Sequence, residues 1–182
     1  DEALKNETGV NLLLTGAYSA LSAEVNHGYG NGWGRAADNW TMDVMADDAH
    51  KGSTDDDQAD LKEVELMNWS PVNGYFMARW GVLFAGVNRA NAVIALTESI
   101  EEGDFSAQKA EAQFLRANFN FEIQRMWGTV PNIDTEAYKN SEFNQPNSGD
   151  IFAQIEADLQ AAKAALPDAQ NEPGRPTRWA AQ

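Results

Sequence analysis

An all-α fold is what this sequence predicts, and three observations carry the prediction. Apolar residues recur at three- and four-residue spacing in one segment after another; strand-like alternation is rare; and Gly, Pro, Asn and Asp gather between the periodic segments. With 182 residues, 43% of them hydrophobic, the chain can bury one sizeable core, so a single helical domain spanning 1–182 is expected.

Val10, Leu13, Leu14, Ala17, Tyr18 and Leu21 share a helical face and predict a helix over 7–25. HGYGNGWG follows, and its glycines at 28, 30, 32 and 34 make it a loop. Trp33, Ala37, Trp40 and Val44 then fall on one helical face that ends near Ala46. The polar stretch DDAHKGSTDDDQAD is expected to be an exposed excursion. Asn73 can cap a long helix in which Phe76, Trp80, Leu83, Val87, Ala90 and Ile94 form the stripe, with Asn91 beside it, running to about Ile100. Gly103 ends that helix and Ser106 opens the next. Thr129 to Gly149 carries two prolines and little period, which predicts a long irregular connection. Asp150 can cap the last complete helix, with Ile151, Ile155, Leu159, Ala162 and Leu166 as its stripe and Pro167 as its stop. A further helix begins after Pro176, so a truncated C-terminal end is expected.

The segment AEAQFLRANFNFEIQRMWGTVP differs from the others. Phe114, Ala117 and Phe121 make one apolar stripe, and Ala112, Leu115, Phe119, Ile123 and Met126 make another. Between the stripes lie Glu111, Asn118, Glu122 and Arg125 on one side and Gln113, Arg116, Asn120 and Gln124 on the other. A surface helix needs one stripe, whereas a helix between two neighbours needs two. That is the place of an inner helix in a stacked helix-pair array of the tetratricopeptide type, though no 34-residue repeat is visible. The expected architecture is therefore a tetratricopeptide-like helix-pair scaffold with long irregular loops.

Charge and motif content narrow the function. A net charge of −15 repels phosphate backbones and anionic head groups, which excludes nucleic acid as a natural partner. Cysteine is absent, so disulfides, thiolate metal sites and thiol nucleophiles are absent with it. No apolar run is long enough to span a membrane. There is no Gly-Lys-Ser/Thr phosphate loop, the glycine-rich loop has Trp33 where a dinucleotide motif needs Gly, and no G-x-S-x-G elbow occurs. His27 and His50 lack an H-E-x-x-H context and are expected to be exposed loop residues. Glu111 and Glu122, about 16 Å apart along a helix axis, are too far apart for glycoside hydrolysis, which needs carboxylates within roughly 5–10 Å. The cluster Asp47, Asp48, Asp55, Asp56 and Asp57 lacks the glycine register of a calcium loop and is expected to be solvated. No catalytic residue, metal ligand or cofactor is assigned.

Six tryptophans are the positive signal. Trp80 and Trp40 lie on helical stripes and are assigned to the core, and packing is also favoured for Trp33. Trp69, in MNWSPVNG, stands in a loop, where an indole either folds onto a neighbour or meets a ligand. Its flat face suits a sugar ring, with Asn, Asp or Lys nearby to bond the hydroxyls.

DNWTMDVMADDA, YFMARWGVLFAGVNRANAVI, AEAQFLRANFNFEIQRMWGTVP, DIFAQIEADLQAAKAALP and GRPTRWAAQ follow one another in the order found in the N-terminal half of the SusD/RagB family. The most specific of them resembles that family's E-A-x-F-L-R-A with aromatics and a G-x-V-P turn, and the W-x-x-x-F-x-x-V-N-R-A-N series resembles the helix with the family's A-N. The resemblance covers Val10 to Gln182; A-D-D at Ala46 to Asp48 departs from the usual S-D. It implies a non-catalytic outer-membrane lipoprotein of Bacteroidota that binds extracellular glycan on the outer face and caps a SusC-like TonB-dependent porin. Its lipid anchor would lie upstream of Asp1. By position in the family's starch-binding members, Trp69 and Asn73 match glycan-contacting residues, with Asp48 and Lys51 as further candidates. The competing implications are a region that only docks the porin, or a receptor for another nutrient such as peptide.

Overall fold

The computed structural model describes residues 2–22, 43–46, 49–54, 56–147 and 149–182. Its helices are α1 (Glu7–Ser19), α2 (Ala59–Glu65), α3 (Gly74–Glu98), α4 (Ser106–Trp127), α5 (Thr135–Lys139) and α6 (Phe152–Ala165), and there is no strand among the described residues. The fold is all-α, of the helix-pair kind that the two-striped segment predicts. The chain divides into two compact units, Asp1–Tyr18 with Leu83–Gln182, and Ser19–Val82.

In the first unit, α4 lies between neighbours, as its stripes require. On one face Ala110 and Phe114 join Leu159 and Ala162 of α6, Leu166 and Ala181 in a packed cluster. On the other, Leu115, Phe119 and Ile123 are buried, and the Phe119 ring lies so close to Gly86 of α3 that a Cβ there would stand 2.7 Å from it. Phe121 departs from its stripe: it is exposed, with the Arg125 guanidinium 5.6 Å from its ring centroid. Leu21, assigned to the buried face of the first helix, is also exposed.

Half of the eight polar residues between the stripes are internal, and Asn118 and Arg125 are exposed. Glu111, Arg116, Asn120 and Gln124 are all buried. Arg116 spends its guanidinium on three elements: Nε donates to Asp158 Oδ2 of α6 at 2.7 Å, with Nη2 on the other carboxylate oxygen, and Nη1 donates to Asn91 Oδ1 of α3 at 2.6 Å and to Thr135 Oγ1 of α5 at 2.7 Å. Asn91 in turn donates to the Ile133 carbonyl at 2.8 Å, which holds the irregular connection against α3. Gln124 Oε1 accepts from the Ile151 amide at the start of α6. The cap position is Ile151 and not Asp150, with no side-chain cap; Asp150 accepts from the Phe152 amide at 3.4 Å from one residue further out. Downstream, Leu166 is buried and Pro167 follows the helix end as expected.

Short helices escaped the periodicity. In the irregular connection, five residues form α5, started by the Asp134 carboxylate accepting from the Ala137 amide. Seven form α2 beside the polar excursion, where only Leu61 and Val64 are buried. In that second unit Val44, Leu61, Val64, Tyr75 and Ala78 make a small core, with Met45 and Phe76 against it. Trp33, Ala37, Trp40 and His27 lie outside the described residues.

Glu111 joins α1 to the C-terminal turn: the Tyr18 hydroxyl donates to its carboxylate, as does Arg175 Nη1 at 3.0 Å, and the Arg175 guanidinium sits over the Tyr18 ring. Burial, then the hydrogen bond and charge of Glu111, push the Tyr18 phenol above its ordinary value. Folding thus favours the neutral phenol. That stability is present below the unfolded pKa near 10 and is lost as pH rises above it. Urea midpoints between pH 8 and 11.5 should fall more steeply above about pH 10 for the wild type than for Tyr18→Phe. Parallel curves would refute this. Tyr75, also raised by burial, leaves Tyr18→Phe some residual slope.

Candidate functional site

The loop that carries Trp69 is built from its two ends. At the first, α2 closes with Met67 in the left-handed region (φ 51), its amide bonded to the Val64 carbonyl while the Asn68 amide reaches back to the Glu63 carbonyl at 2.9 Å. This paired bonding is a Schellman closure, made here without the usual glycine. At the second, the Asn73 amide bonds the Ser70 carbonyl at 3.1 Å around Pro71, whose fixed φ suits the second position of a turn. Trp69 stands between the two closures.

The residue is 41% exposed, and its ring is supported by Phe76, edge to face at a centroid distance of 5.3 Å and an angle of 81°. Phe76 packs on the small core, so one side of the indole is braced while part of it meets solvent. Leu66, Met67 and Val72, on the same loop, are exposed as well.

Asn73 does cap α3, its Oδ1 accepting from the Tyr75 amide at 3.1 Å. Its Nδ2 donates to the Asp60 carbonyl at 2.8 Å and to Glu63 Oε2 at 3.4 Å. At 2% exposure it faces inward, not toward the surface where a ligand hydroxyl would meet it. Lys51 directs its ammonium into its own loop, donating to Ser53 Oγ at 3.2 Å and to the Thr54 and Asp57 carbonyls. Three donors meet three acceptors. Asp48 lies outside the described residues.

Lys51 also lines an open pocket of about 370 Å³ with Asp43, His50, Asp57 and Gln58, floored by Val44 and Leu61. Those two floor residues belong to the core that supports Phe76, so pocket and Trp69 loop rest on one cluster. Exposed His50 bonds Glu65 at 2.8 Å; that hydrogen bond, with a further one from Lys62, holds the Glu65 carboxyl below its ordinary value despite partial desolvation. Gln58 Oε1 accepts from the Tyr75 hydroxyl. Sequence reasoning missed the roles of Asp60, Gln58 and Phe76: Asp60 and Gln58 lie in the polar excursion with partners more than a dozen residues away, and Phe76, read as part of a helical stripe, meets Trp69 across a turn. Among the described residues, no three His, Asp or Glu side chains gather as a metal site.

A family model described as starch-binding associating with outer membrane matches residues 4–182. The chain belongs to the SusD-like family. A curated SusD-like protein of Formosa agariphila is 28% identical over 96% of the chain, which spans 34% of that relative. A SusD superfamily protein of Bacteroides vulgatus, known from a crystal structure, is 26% identical with a TM-score of 0.78, over 97% of the chain and 38% of its own. A surface glycan-binding protein of Bacteroides fluxus shares the fold at 24% identity and a TM-score of 0.74, over 97% of the chain and 38% of its own. The chain thus spans about a third of the length of these relatives. Among the described residues, no helix is long and apolar enough to cross a membrane.

Proposed function

We propose that this chain is the helical part of a non-catalytic receptor for extracellular oligo- or polysaccharide, held at the outer face of the outer membrane by a lipid anchor upstream and delivering its ligand to a SusC-like TonB-dependent transporter. The observation that carries this reading is the half-exposed Trp69 indole, braced on Phe76 between two hydrogen-bonded closures, in a chain of a starch-binding family. A sugar ring stacking on the free part of the indole loses little protein entropy, because the loop is already ordered. Asp48 is the remaining polar candidate for the sugar hydroxyls; Lys51, whose three donors are met within its own loop, and Asn73, which fixes the end of the Trp69 loop, serve by holding structure. Single contacts of this kind are weak, so many sugars are engaged together along a polymer.

The test is retardation in native gels cast with a panel of polysaccharides, with Trp69→Ala run beside the wild type. Trp69→Ala is expected to weaken retardation by one glycan about tenfold or more, as for loss of an aromatic anchor, with helicity by circular dichroism unchanged. No hydrolysis of reporter glycosides is expected. Retardation untouched by the substitution removes Trp69 from the site; retardation by no glycan removes the glycan.

One observation favours a second reading. Leu66, Met67 and Val72 offer exposed apolar groups without hydrogen-bonding capacity, which suit a protein surface better than a sugar. If docking is this region's role, Val72→Glu should abolish co-purification with the porin while glycan retardation stays intact.

A further inference from the structure

We propose that Asp60 is a positioning residue for the Trp69 loop; the inference rests on the glycan reading of Trp69. Asp60 stands in the first turn of α2, before the loop, yet its polar atoms serve the far end of that loop. Its Oδ2 accepts from the Gly74 amide at 2.7 Å, fourteen residues on. Its carbonyl accepts from Asn73 Nδ2 at 2.8 Å, thirteen residues on. Both attachments fall at the first residues of α3, where amide groups lack helical partners and a carboxylate is favoured by the helix dipole. Two independent bonds therefore fix where the chain re-enters a helix after Trp69.

Gly74 is the complementary half of the device. A Cβ at that position would stand 2.8 Å from Asp60 Oδ2, closer than real Cβ contacts allow, so the carboxylate holds its seat only because residue 74 has no side chain. The left-handed turn at Met67 closes the near end, and the Asp60 bracket closes the far one. With both ends fixed, the Trp69–Phe76 contact keeps its edge-to-face geometry before any ligand arrives. Opening the bracket lets the loop sample more states, and ordering them again is charged against binding.

Amide hydrogen exchange on the ligand-free protein and glycan retardation, measured together, test this. Asp60→Ala should speed exchange across 68–74 about tenfold, the equivalent of one charge-assisted hydrogen bond. It should also weaken retardation about three- to tenfold with Trp69 intact. Asp60→Asn keeps an oxygen acceptor for the Gly74 amide and should stay within about twofold of the wild type in both readouts. If Asp60→Ala does not fold, Gly74→Ala displaces the carboxylate without removing it and should move both readouts in the same direction.

Unchanged exchange in Asp60→Ala overturns the bracket whether or not any glycan binds. Faster exchange with full glycan affinity overturns the positioning role, and so does a failure of Asp60→Asn to restore affinity. A wild-type protein that no glycan retards, with the exchange pattern as expected, overturns the glycan reading and the positioning role with it while leaving the bracket as architecture.

Discussion

Arg116→Ala is expected to cost about 3–5 kcal/mol in urea unfolding, because it breaks a buried ion pair by removing one partner. Both side chains of the pair are almost wholly inaccessible, at 6% for Arg116 and 3% for Asp158. Without the guanidinium, Asp158 keeps the Gln154 side-chain amide at 3.2 Å, and Asn91 and Thr135 lose the donor they share. An uncompensated carboxylate in that position either stays charged at high cost or takes up a proton. Arg116→Lys should recover little, since a single ammonium cannot reproduce a fork that spans Asp158 on one helix and Asn91 on another. The double change Arg116→Met with Asp158→Leu should be less damaging than Arg116→Ala, because no orphan charge remains. An Arg116→Ala protein within about 1 kcal/mol of the wild type would show the pair to be dispensable, since that is the scale of an ordinary hydrogen bond.

The same network marks where the sequence was legible and where it was not. The spacing of Leu115, Phe119 and Ile123 against Phe114 and Ala117 was enough to place α4 between two neighbours, because burial of apolar surface imposes a period. Nothing comparable distinguishes a buried Arg116 from a solvated one. A polar residue's burial depends on partners such as Asp158, 42 residues away, and no local pattern encodes that separation. The short helices α2 and α5 fail for a related reason: fewer than two turns give too few apolar positions to define a face. At the candidate site, composition and loop context singled out Trp69, and the cap signal at Asn73 was correct. What spacing could not show is that Asn73 spends its amide on Asp60, Glu63 and Tyr75 and faces inward. Lys51 likewise offers a cation in sequence and a satisfied loop clasp in structure.

Gly86→Ala sets two ordinary effects against each other, and magnitudes decide the sign. In a helix interior Ala is favoured over Gly by about 1 kcal/mol. Here the added Cβ would stand 2.7 Å from three atoms of the Phe119 ring, and Phe119 is only 2% exposed on a helix fixed by contacts with α6. Close-packed interiors yield little, and overpacking costs about 1–3 kcal/mol. A net loss is therefore expected for Gly86→Ala, rising to about 3 kcal/mol or more for Gly86→Val, which adds two further carbons and a branched Cβ within the helix. Phe119→Leu provides the counter-test. Alone it removes ring atoms from a filled site and should destabilise. Combined with Gly86→Ala it vacates the space the methyl needs, so the double variant should be more stable than the sum of the single losses predicts. Strict additivity in urea unfolding, or a Gly86→Ala protein more stable than the wild type, would mean that α3 and α4 separate without cost and that residue 86 is glycine for some other reason.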